Sequence, residues 1–328
     1  MPRVWEVRAL LSLPYSYPVL RLIANLLRGG LIGVAEVIPG VSGGTIALIV
    51  GIYRTVIDSI ADAVLALRQL VGLADGGPSG RRFARTFAGL PWRLLIPVGI
   101  GMVIAVVLGA RVIEPLLEEH PVQMLALFFG LVLAGIWVPA HMVQRSGGWT
   151  PGYLIAAGIA AVALFFLTGL PPATVTDPSP IVVMLAAAVA ICALVLPGVS
   201  GSFFLLSLGM YEPTLDAVND RDLVYLGAFA LGAIVGLGVF VTLLKWLLAH
   251  RAGITLAVLT GLMVGSLRAL WPWQDDDRNL LAPSSDIAAA GLMALAGVVI
   301  VVVLLLVERK LGMSEEQEDA RREADSAA

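Results

Sequence analysis

Residues 38–60 read IPGVSGGTIALIVGIYRTVIDSI, and residues 196–218 read LPGVSGSFFLLSLGMYEPTLDAV. Aligned without a gap, nine of the 23 positions are identical, including the contiguous Pro-Gly-Val-Ser-Gly of each copy. Proline removes a backbone donor and glycine adopts conformations that a helix excludes, so each Pro-Gly pair predicts a break in a helix. Because apolar composition alone does not easily produce a contiguous five-residue match, we interpret the stretches as copies of one duplicated segment.

A second resemblance supports duplication. Residues 129–134 (FGLVLA) resemble residues 260–265 (TGLMVG), but the offset of 131 is 27 residues smaller than the offset of 158 between the two motifs. The first half therefore carries an insertion, and the basic segment 61–93, interrupted by Gly and Pro, is predicted to be that insertion as a loop. Each half then consists of a broken segment and three full spans, which predicts repeat 1 at 21–170 and repeat 2 at 181–308.

The composition is that of a membrane protein. Hydrophobic residues make up 59% and charged residues 14% of the 328-residue chain, whereas soluble domains carry about 25% charged residues. Apolar blocks approach or exceed the roughly 20 residues that cross a bilayer as a helix. These blocks lie at 29–53, 94–110, 122–140, 152–170, 181–196, 223–248, 254–271 and 287–307. We therefore predict an all-α polytopic membrane protein with a single transmembrane domain over 1–328, ending in a mobile cytoplasmic tail at 313–328.

Charge and side-chain chemistry exclude several functions. A net charge of −3 argues against a nucleic-acid partner, and the single cysteine, Cys192, excludes an intrachain disulfide. The three histidines, His120, His141 and His250, are too dispersed to suggest a metal site. The sequence thus predicts neither metal nor cofactor.

The distribution of basic residues distinguishes two geometries for the broken segments. Each segment could cross the membrane once as a kinked helix, or turn at PGVSG and leave on the side that it entered. With a cytoplasmic N-terminus, two re-entrant segments leave four of the 21 basic residues outside, and two single crossings leave ten outside. Lys and Arg are enriched on the cytoplasmic side, so we predict re-entrant helical hairpins at 21–60 and 181–218 and a cytoplasmic C-terminus. The four outer residues are Arg111, Arg221, Arg268 and Arg278.

Three full spans separate the two hairpins, and an odd number of spans reverses the orientation of the second repeat. The predicted architecture is two inverted-topology repeats, each a re-entrant helical hairpin plus three transmembrane helices. Secondary transporters built in this way bind substrate near the midplane, where broken helices meet.

The two motifs contain the groups of an anion site. A half-helix is predicted to start after each break, at about Val41 and Val199, and its N-terminus presents unpaired N–H groups and partial positive charge. Glycines allow an anion to approach the backbone, and hydroxyls add donors. Alternatively, these residues only cap the half-helices and permit close packing. The candidate residues for phosphate or lipid binding are Ser42, Gly43, Gly44, Thr45, Ser200, Gly201 and Ser202.

Three charged residues outside the Pro-Gly-Val-Ser-Gly stretches each have two interpretations. Glu36 precedes the first break, at a depth where a charged side chain costs about 2.5–3.5 kcal/mol on insertion scales. In one interpretation, Glu36 carries a proton or coordinates a cation. In the other, it accepts hydrogen bonds from N–H groups that the break leaves unpaired. Arg268 either receives a phosphate or anchors the membrane interface beside tryptophans. Arg54 either attracts an anion on the inner side or extends to the interface as an ordinary arginine.

The stretches GVAEVIPGVSGGTIALIVGIYRTVID at 33–58, the second LPGVSG and GLMVGSLRALWPW at 261–273 resemble the bacterial polyprenyl-phosphate transporters of the PopT type, formerly a family of unknown function. The resemblance covers roughly residues 21–309. It implies transport of undecaprenyl phosphate from the outer to the cytoplasmic leaflet of the bacterial inner membrane, which recycles the lipid carrier of peptidoglycan. The second motif reads PGVSGSF instead of PGVSGGT, so Ser202 departs from the first pattern. A coupling proton or sodium ion and the oligomeric state stay open.

Two rival functions differ in their chemistry. Membrane undecaprenyl-pyrophosphate phosphatases also use inverted re-entrant hairpins with a Pro-Gly-x-Ser motif, but theirs continues with Arg and further Ser residues. Here neither motif contains Arg or His, so hydrolysis lacks its groups and we predict no enzyme and no catalytic residue. A transporter or channel for a small soluble anion would use the same predicted site, and the sequence leaves it open.

Overall fold

The structure is a computed structural model that describes residues 18–37, 42–74, 76–171, 175, 178–275, 277–284 and 286–311. Two predictions fall outside these residues. One is the tail at 313–328, and the other is the turn at Ile38-Pro39-Gly40-Val41, including the predicted half-helix start at Val41.

The described residues of the first half form eight helices. They are α1 (Pro18–Val37), α2 (Gly43–Ile49), α3 (Tyr53–Val71), α4 (Gly80–Ala88), α5 (Trp92–Glu119), α6 (Pro121–Gly135), α7 (Trp137–Arg145) and α8 (Pro151–Leu167). The described residues of the second half form six helices, which are α9 (Pro180–Val195), α10 (Gly201–Ser207), α11 (Tyr211–Asn219), α12 (Leu223–His250), α13 (Ala252–Ser266) and α14 (Ile287–Leu311). A 3₁₀ turn at Leu267–Leu270 follows α13.

Helix lengths repeat between the halves. The short helices after the two breaks, α2 and α10, have seven residues each. The next long helices, α5 and α12, have 28 residues each, and α6 and α13 that follow them have 15 residues each. The equal lengths and their common order agree with the duplication inferred from the two motifs.

The prediction of an all-α membrane protein is confirmed. Five helical stretches of the described chain are long and apolar enough to cross a bilayer, and α8 and α9 are shorter apolar helices. In the described ranges, strand pairing is limited to one isolated bridge between Gln274 and Leu280. The five stretches are Trp92–Gly109, Pro121–Arg145, Leu223–His250, Ala252–Leu270 and Ile287–Leu306.

The prediction of a loop at 61–93 was wrong. Helix α3 continues to Val71 and ends at Gly72 in the left-handed conformation, and α4 follows at Gly80–Ala88. Along α3, Ile57, Ala61 and Ala66 are buried while Arg68 is exposed. This amphipathic pattern sustains a helix although the segment is too polar to span the membrane. Compared with the nine residues of α11, the insertion lengthens one helix and adds another.

The helices pair through small residues, which allow backbones to approach closely in membranes. Helix α1 packs on α5, and α9 packs on α12, while α6 contacts α14 and α8 contacts α13. Glycines four residues apart line these contacts, and a Cβ built on any of them would lie less than 3 Å from the partner helix. They are Gly29 and Gly33 in α1, Gly232 and Gly236 in α12, and Gly261 and Gly265 in α13.

Helices α2 and α13 occupy the centre of the molecule. In α13, 61% of the candidate span is buried, against 28% or less in the other four spans. Ile49 at the end of α2 and Ile52 just beyond it belong to the same buried cluster as Leu259 and Met263 of α13. The helix that follows the first break is therefore enclosed by protein.

Substituting Gly261 with alanine tests the contact between α8 and α13. A Cβ at this position would lie 2.1 Å from the carbonyl oxygen of Ala157, whereas a Cβ at Gly158 of α8 would meet nothing within 4 Å. Overpacking costs about 1–3 kcal/mol, so Gly261→Ala should lower the melting temperature in detergent, and Gly158→Ala should not. Equal melting temperatures for the two variants would contradict this packing.

Candidate functional site

The helix after the first break contacts the backbone of the second motif directly. Ser42 is fully buried and caps α2, its Oγ accepting a hydrogen bond from the Gly44 N–H at 3.1 Å. The same hydroxyl lies 3.1 Å from the Leu194 carbonyl oxygen and 3.0 Å from that of Leu196, as a donor. These carbonyls lie three residues and one residue before Pro197, so the Ser42 side chain bonds residues that are 152 and 154 positions away in the sequence.

Two further hydrogen bonds join the same segments. The Gly198 N–H donates to the buried Oγ1 of Thr45 at 2.7 Å, and the Tyr53 hydroxyl donates to the Val195 carbonyl at 3.2 Å. Gly44 lies so close that a Cβ there would be 2.7 Å from the Val195 carbonyl oxygen. The predicted candidates Ser42, Gly44 and Thr45 are thus brought together with the second motif.

The second break lies between α2 and α13. Gly198 has a φ of +83°, a conformation that disfavours residues with a Cβ. A Cβ here would also lie 2.8 Å from the Met263 Cα, so glycine is required by backbone conformation and by space. Since Thr45 accepts the Gly198 N–H, the left-handed turn is fixed from one side by α2 and from the other by α13.

Both serines cap their helices, as the alternative interpretation predicted. Ser42 is the N-cap of α2, and Ser200 is the N-cap of α10, accepting from the Phe203 N–H at 3.5 Å. Helix α10 therefore begins at Gly201, two residues later than the predicted start at Val199. The delay follows from the serine, whose side chain satisfies a helical N–H while its own backbone stays extended.

A small cavity opens beside the second motif. Ser200 is buried and its hydroxyl lies 3.0 Å from that of the exposed Ser202. Gly201, also buried, packs against the carbonyl of Ala190. The cavity is lined by Leu164, Thr168, Gly198, Val199, Ser200, Phe203, Phe204 and Ala269. Of its two hydroxyls, that of Thr168 donates to the Leu164 and Phe165 carbonyls of its own helix, and that of Ser200 contacts Ser202. Arg268 immediately precedes the lining residue Ala269.

Glu36 spans the first break. Its Oε1 accepts a hydrogen bond from the Gly43 N–H at 3.0 Å, which is the contact that the acceptor interpretation predicted. The N–H groups of Gly43 and Gly44 are therefore both engaged, by Glu36 and by Ser42. In this arrangement these two backbone donors of the first motif form hydrogen bonds within the protein.

The two predicted arginines differ in environment. Arg54 is exposed on α3. Arg268 lies with its guanidinium 5.1 Å from the centre of the Phe165 ring, and a Cβ on Gly169 would overlap it. Its Nη1 is buried and lacks a hydrogen-bond partner among the residues described. Arg268 is thus a partly buried cation with unused donor capacity.

The sequence reasoning missed two participants. Tyr53 is identical to Tyr211 in the repeat alignment, and that identity was the available signal for its contact with Val195. Arg278 packs on Phe203 of the second motif at 4.3 Å, but it sits alone in an acidic loop and its sequence carries no such signal. Across the described part of the chain, no group of three or more His, Cys, Asp or Glu residues could bind a metal ion.

Comparisons with known proteins identify the family. Residues 32–287 match the model of a family described as undecaprenyl phosphate translocase-like. A polyprenyl-phosphate transporter of Vibrio cholerae is 37% identical over 256 residues, covering 77% of this chain and 79% of the relative. A polyprenyl-phosphate transporter of Staphylococcus aureus is 30% identical over 262 residues, covering 76% and 86%. Both are named as transporters, in agreement with the prediction of no enzyme. No solved structure gives a significant match.

Replacing Thr45 with valine tests the contact between the two segments. The variant keeps the shape of the side chain but leaves the buried Gly198 N–H without an acceptor, which costs about 1–3 kcal/mol. We expect a lower melting temperature and faster deuterium exchange in peptides covering 196–199. The control is Thr242→Val, because Thr242 is exposed and bonds only the Gly238 carbonyl of its own helix. Unchanged exchange at 196–199 in Thr45→Val would contradict the assignment.

Proposed function

The chain belongs to the undecaprenyl phosphate translocase-like family of membrane proteins, and from this membership we propose that it transports polyprenyl phosphate across the membrane. The relatives named as polyprenyl-phosphate transporters cover more than three quarters of it. One observation supports the involvement of particular residues, namely the contact between the two PGVSG segments. In this contact Ser42 and Thr45 form hydrogen bonds with the backbone around Pro197.

We propose that the substrate is undecaprenyl phosphate and that it moves from the outer to the cytoplasmic leaflet of the bacterial inner membrane. Return in this direction would recycle the carrier for peptidoglycan and other envelope polymers. The distribution of basic residues supports an orientation with both ends in the cytoplasm. Under this orientation, Arg268 and Arg278 lie on the side from which the lipid is collected.

We further propose that the chain consists of two inverted repeats, 21–170 and 181–308, each beginning with a re-entrant hairpin. Equal lengths of α5 and α12, and of α6 and α13, support the repeat. The packing of α1 on α5 corresponds to that of α9 on α12. The bonds from Ser42 and Thr45, just after the first break, to the backbone around Pro197 support two hairpins that enter from opposite sides. Broken backbone in a membrane needs protein around it.

For the phosphate we propose a site at the second motif, formed by Ser200, Gly201, Ser202 and Arg268. In the described conformation the donors of Ser42, Gly43 and Gly44 are engaged. They and Thr45 would join the site when one repeat moves relative to the other and their present bonds open. These groups would bond one another while the site is empty and would bind the phosphate headgroup when the lipid is present. Movement of the repeats around a fixed binding position is the alternating-access mechanism of secondary transporters. Arg54 is exposed on α3, so its positive charge would at most attract the anion toward the inner side of the membrane.

Reconstitution tests the proposed transport and separates its rivals. In liposomes carrying undecaprenyl phosphate in one leaflet, the protein should accelerate its appearance in the other leaflet, detected by a membrane-impermeant enzyme that consumes the headgroup. Empty liposomes and liposomes with heat-inactivated protein are the controls. No acceleration would reject the lipid substrate. Release of entrapped inorganic phosphate would favour a soluble-anion transporter, and phosphate release from undecaprenyl pyrophosphate would favour a phosphatase.

Two substitutions at Glu36 separate coupling from capping. Glu36→Gln keeps an oxygen that can accept the Gly43 N–H but cannot carry a proton, whereas Glu36→Ala loses both properties. If Glu36 couples transport to protons, Glu36→Gln should abolish the response of the transport rate to an imposed pH gradient without lowering the melting temperature. If it only accepts the N–H, Glu36→Gln should behave like the wild type and Glu36→Ala should be less stable by about 1–3 kcal/mol.

A further inference from the structure

Two arginines meet where α8 ends. Arg268 follows α13, and its Nη2 donates to the carbonyl oxygen of Arg278 at 3.2 Å. Arg278 lies in the loop before α14, and its Nη1 donates to the carbonyl of Leu170, three residues beyond the end of α8, at 3.2 Å. We call these two residues the arginine pair.

The arginine pair lacks a counter-charge within the described residues. The ion pairs that described residues form with one another join Lys245 to Asp58 and Asp62, and neither arginine takes part in them. Asp275, which precedes Arg278, is turned toward Asn279, accepting from its backbone N–H at 2.7 Å and its Nδ2 at 2.9 Å. These bonds, the side-chain bond foremost, lower the pKa of the Asp275 carboxyl.

The two cations also disfavour each other. Both are only partly exposed, and burial together with the charge of Arg268 lowers the pKa of Arg278. The buried Nη1 of Arg268 has no described hydrogen-bond partner. Charged groups that are removed from water are stabilised by a paired charge and by hydrogen bonds. Bonds to carbonyls at the end of α8 account for part of this placement, since cations are favourable at a helix C-terminus, but they leave the Arg268 Nη1 unexplained.

The arginine pair adjoins the second motif. The Arg278 guanidinium lies 4.3 Å from the centre of the Phe203 ring, and its Nη1 is 3.1 Å from the Ser207 Oγ. Phe203 also lines the cavity that contains Ser200. Ser200, Phe203 and Ser207 are three and four residues apart, so they follow one face of α10 from its N-cap onward. This face connects the pair with the cavity.

We propose that Arg268 and Arg278 together bind a phosphomonoester dianion and that Arg278, which the sequence did not indicate, is a specificity-determining residue. Guanidinium groups form bidentate, charge-assisted bonds with phosphate oxygens, and two positive charges match the dianion of a monoester. Phe165, under Arg268, is 39% exposed and its neighbour Phe166 is 69% exposed, so an attached prenyl chain would lie on an apolar surface. That the anion is a lipid headgroup rests on the function proposed above; free phosphate would present the same chemistry.

Binding measurements on the full chain in detergent test the arginine pair. The probes are farnesyl phosphate, farnesol and inorganic phosphate, and the variants are Arg278→Gln, Arg278→Lys and Arg221→Gln. Arg221 is the matched control, because it too has a positive φ, 56° against 62° for Arg278, but is exposed. Loss of a charge-assisted bidentate contact should weaken farnesyl phosphate binding about tenfold or more in Arg278→Gln. Arg278→Lys should lose less, Arg221→Gln should match the wild type, and farnesol should not distinguish the variants.

A second measurement uses the wild-type protein, so it does not depend on the folding of a variant. Phenylglyoxal modifies accessible arginines, and mass spectrometry reports each site. Farnesyl phosphate should protect Arg268 and Arg278 but not Arg221. Protection by inorganic phosphate at similar concentration would identify a site for the free anion, whereas protection by the farnesyl ester alone would identify the lipid headgroup. Absence of protection, or equal binding by Arg278→Gln and Arg221→Gln, would overturn the proposal.

The outcomes separate this proposal from the proposed function. Wild-type protein that moves undecaprenyl phosphate between leaflets, with Arg278→Gln binding farnesyl phosphate normally, would reject the arginine pair and leave transport intact. Loss of phosphate binding in Arg278→Gln, with no lipid movement by the wild type, would leave the anion site intact and reject lipid transport.

Discussion

A broken helix in a membrane has backbone groups that lipid cannot hydrogen-bond, so the protein must supply their partners. This constraint organises the centre of the molecule. The carbonyls around Pro197 are bonded by side chains of Ser42 and Tyr53, and the N–H of Gly198 is bonded by Thr45. All three partners lie in the segment that follows the first break, whereas the groups that they bond lie at the second break. The close fit at Gly44 and the enclosure of α2 and α13 are conditions for these bonds.

The same bonds bear on how an anion could be bound. Phosphate recognition needs N–H and hydroxyl donors, and the donors of the first motif already serve Glu36, Ser42 and the carbonyls near Pro197. A ligand that replaced these acceptors would meet groups already oriented toward one another. The second motif differs, because Ser200 lines a cavity and its hydroxyl contacts that of the exposed Ser202. The two copies of PGVSG therefore have unequal roles in this conformation.

Much of the helical order was predictable, because apolar blocks and a repeated motif record where helices cross and where they break. The insertion was misread as a loop, since Gly, Pro and basic residues at 61–93 masked the amphipathic pattern of α3. Pairwise contacts such as Thr45 with Gly198 could not be read from the sequence, because they depend on how two distant backbones approach. Arg278 was missed for the same reason, because Arg278, Phe203 and Leu170 lie in three different segments of the chain that the fold brings together.

The distance along the chain between bonded partners bears on how the protein is made. Ser42 and Thr45 emerge from the ribosome about 150 residues before the carbonyls and the N–H that they bond. At 5–20 residues per second, translation of that interval takes roughly 8–30 s. During this time the residues that follow the first break lack the partners that the finished protein gives them. Protection by the insertion machinery, or delayed entry of α2 into the bilayer, would keep these polar groups out of lipid until the second half is made. The first half therefore acquires its full set of hydrogen bonds only when the second half is present.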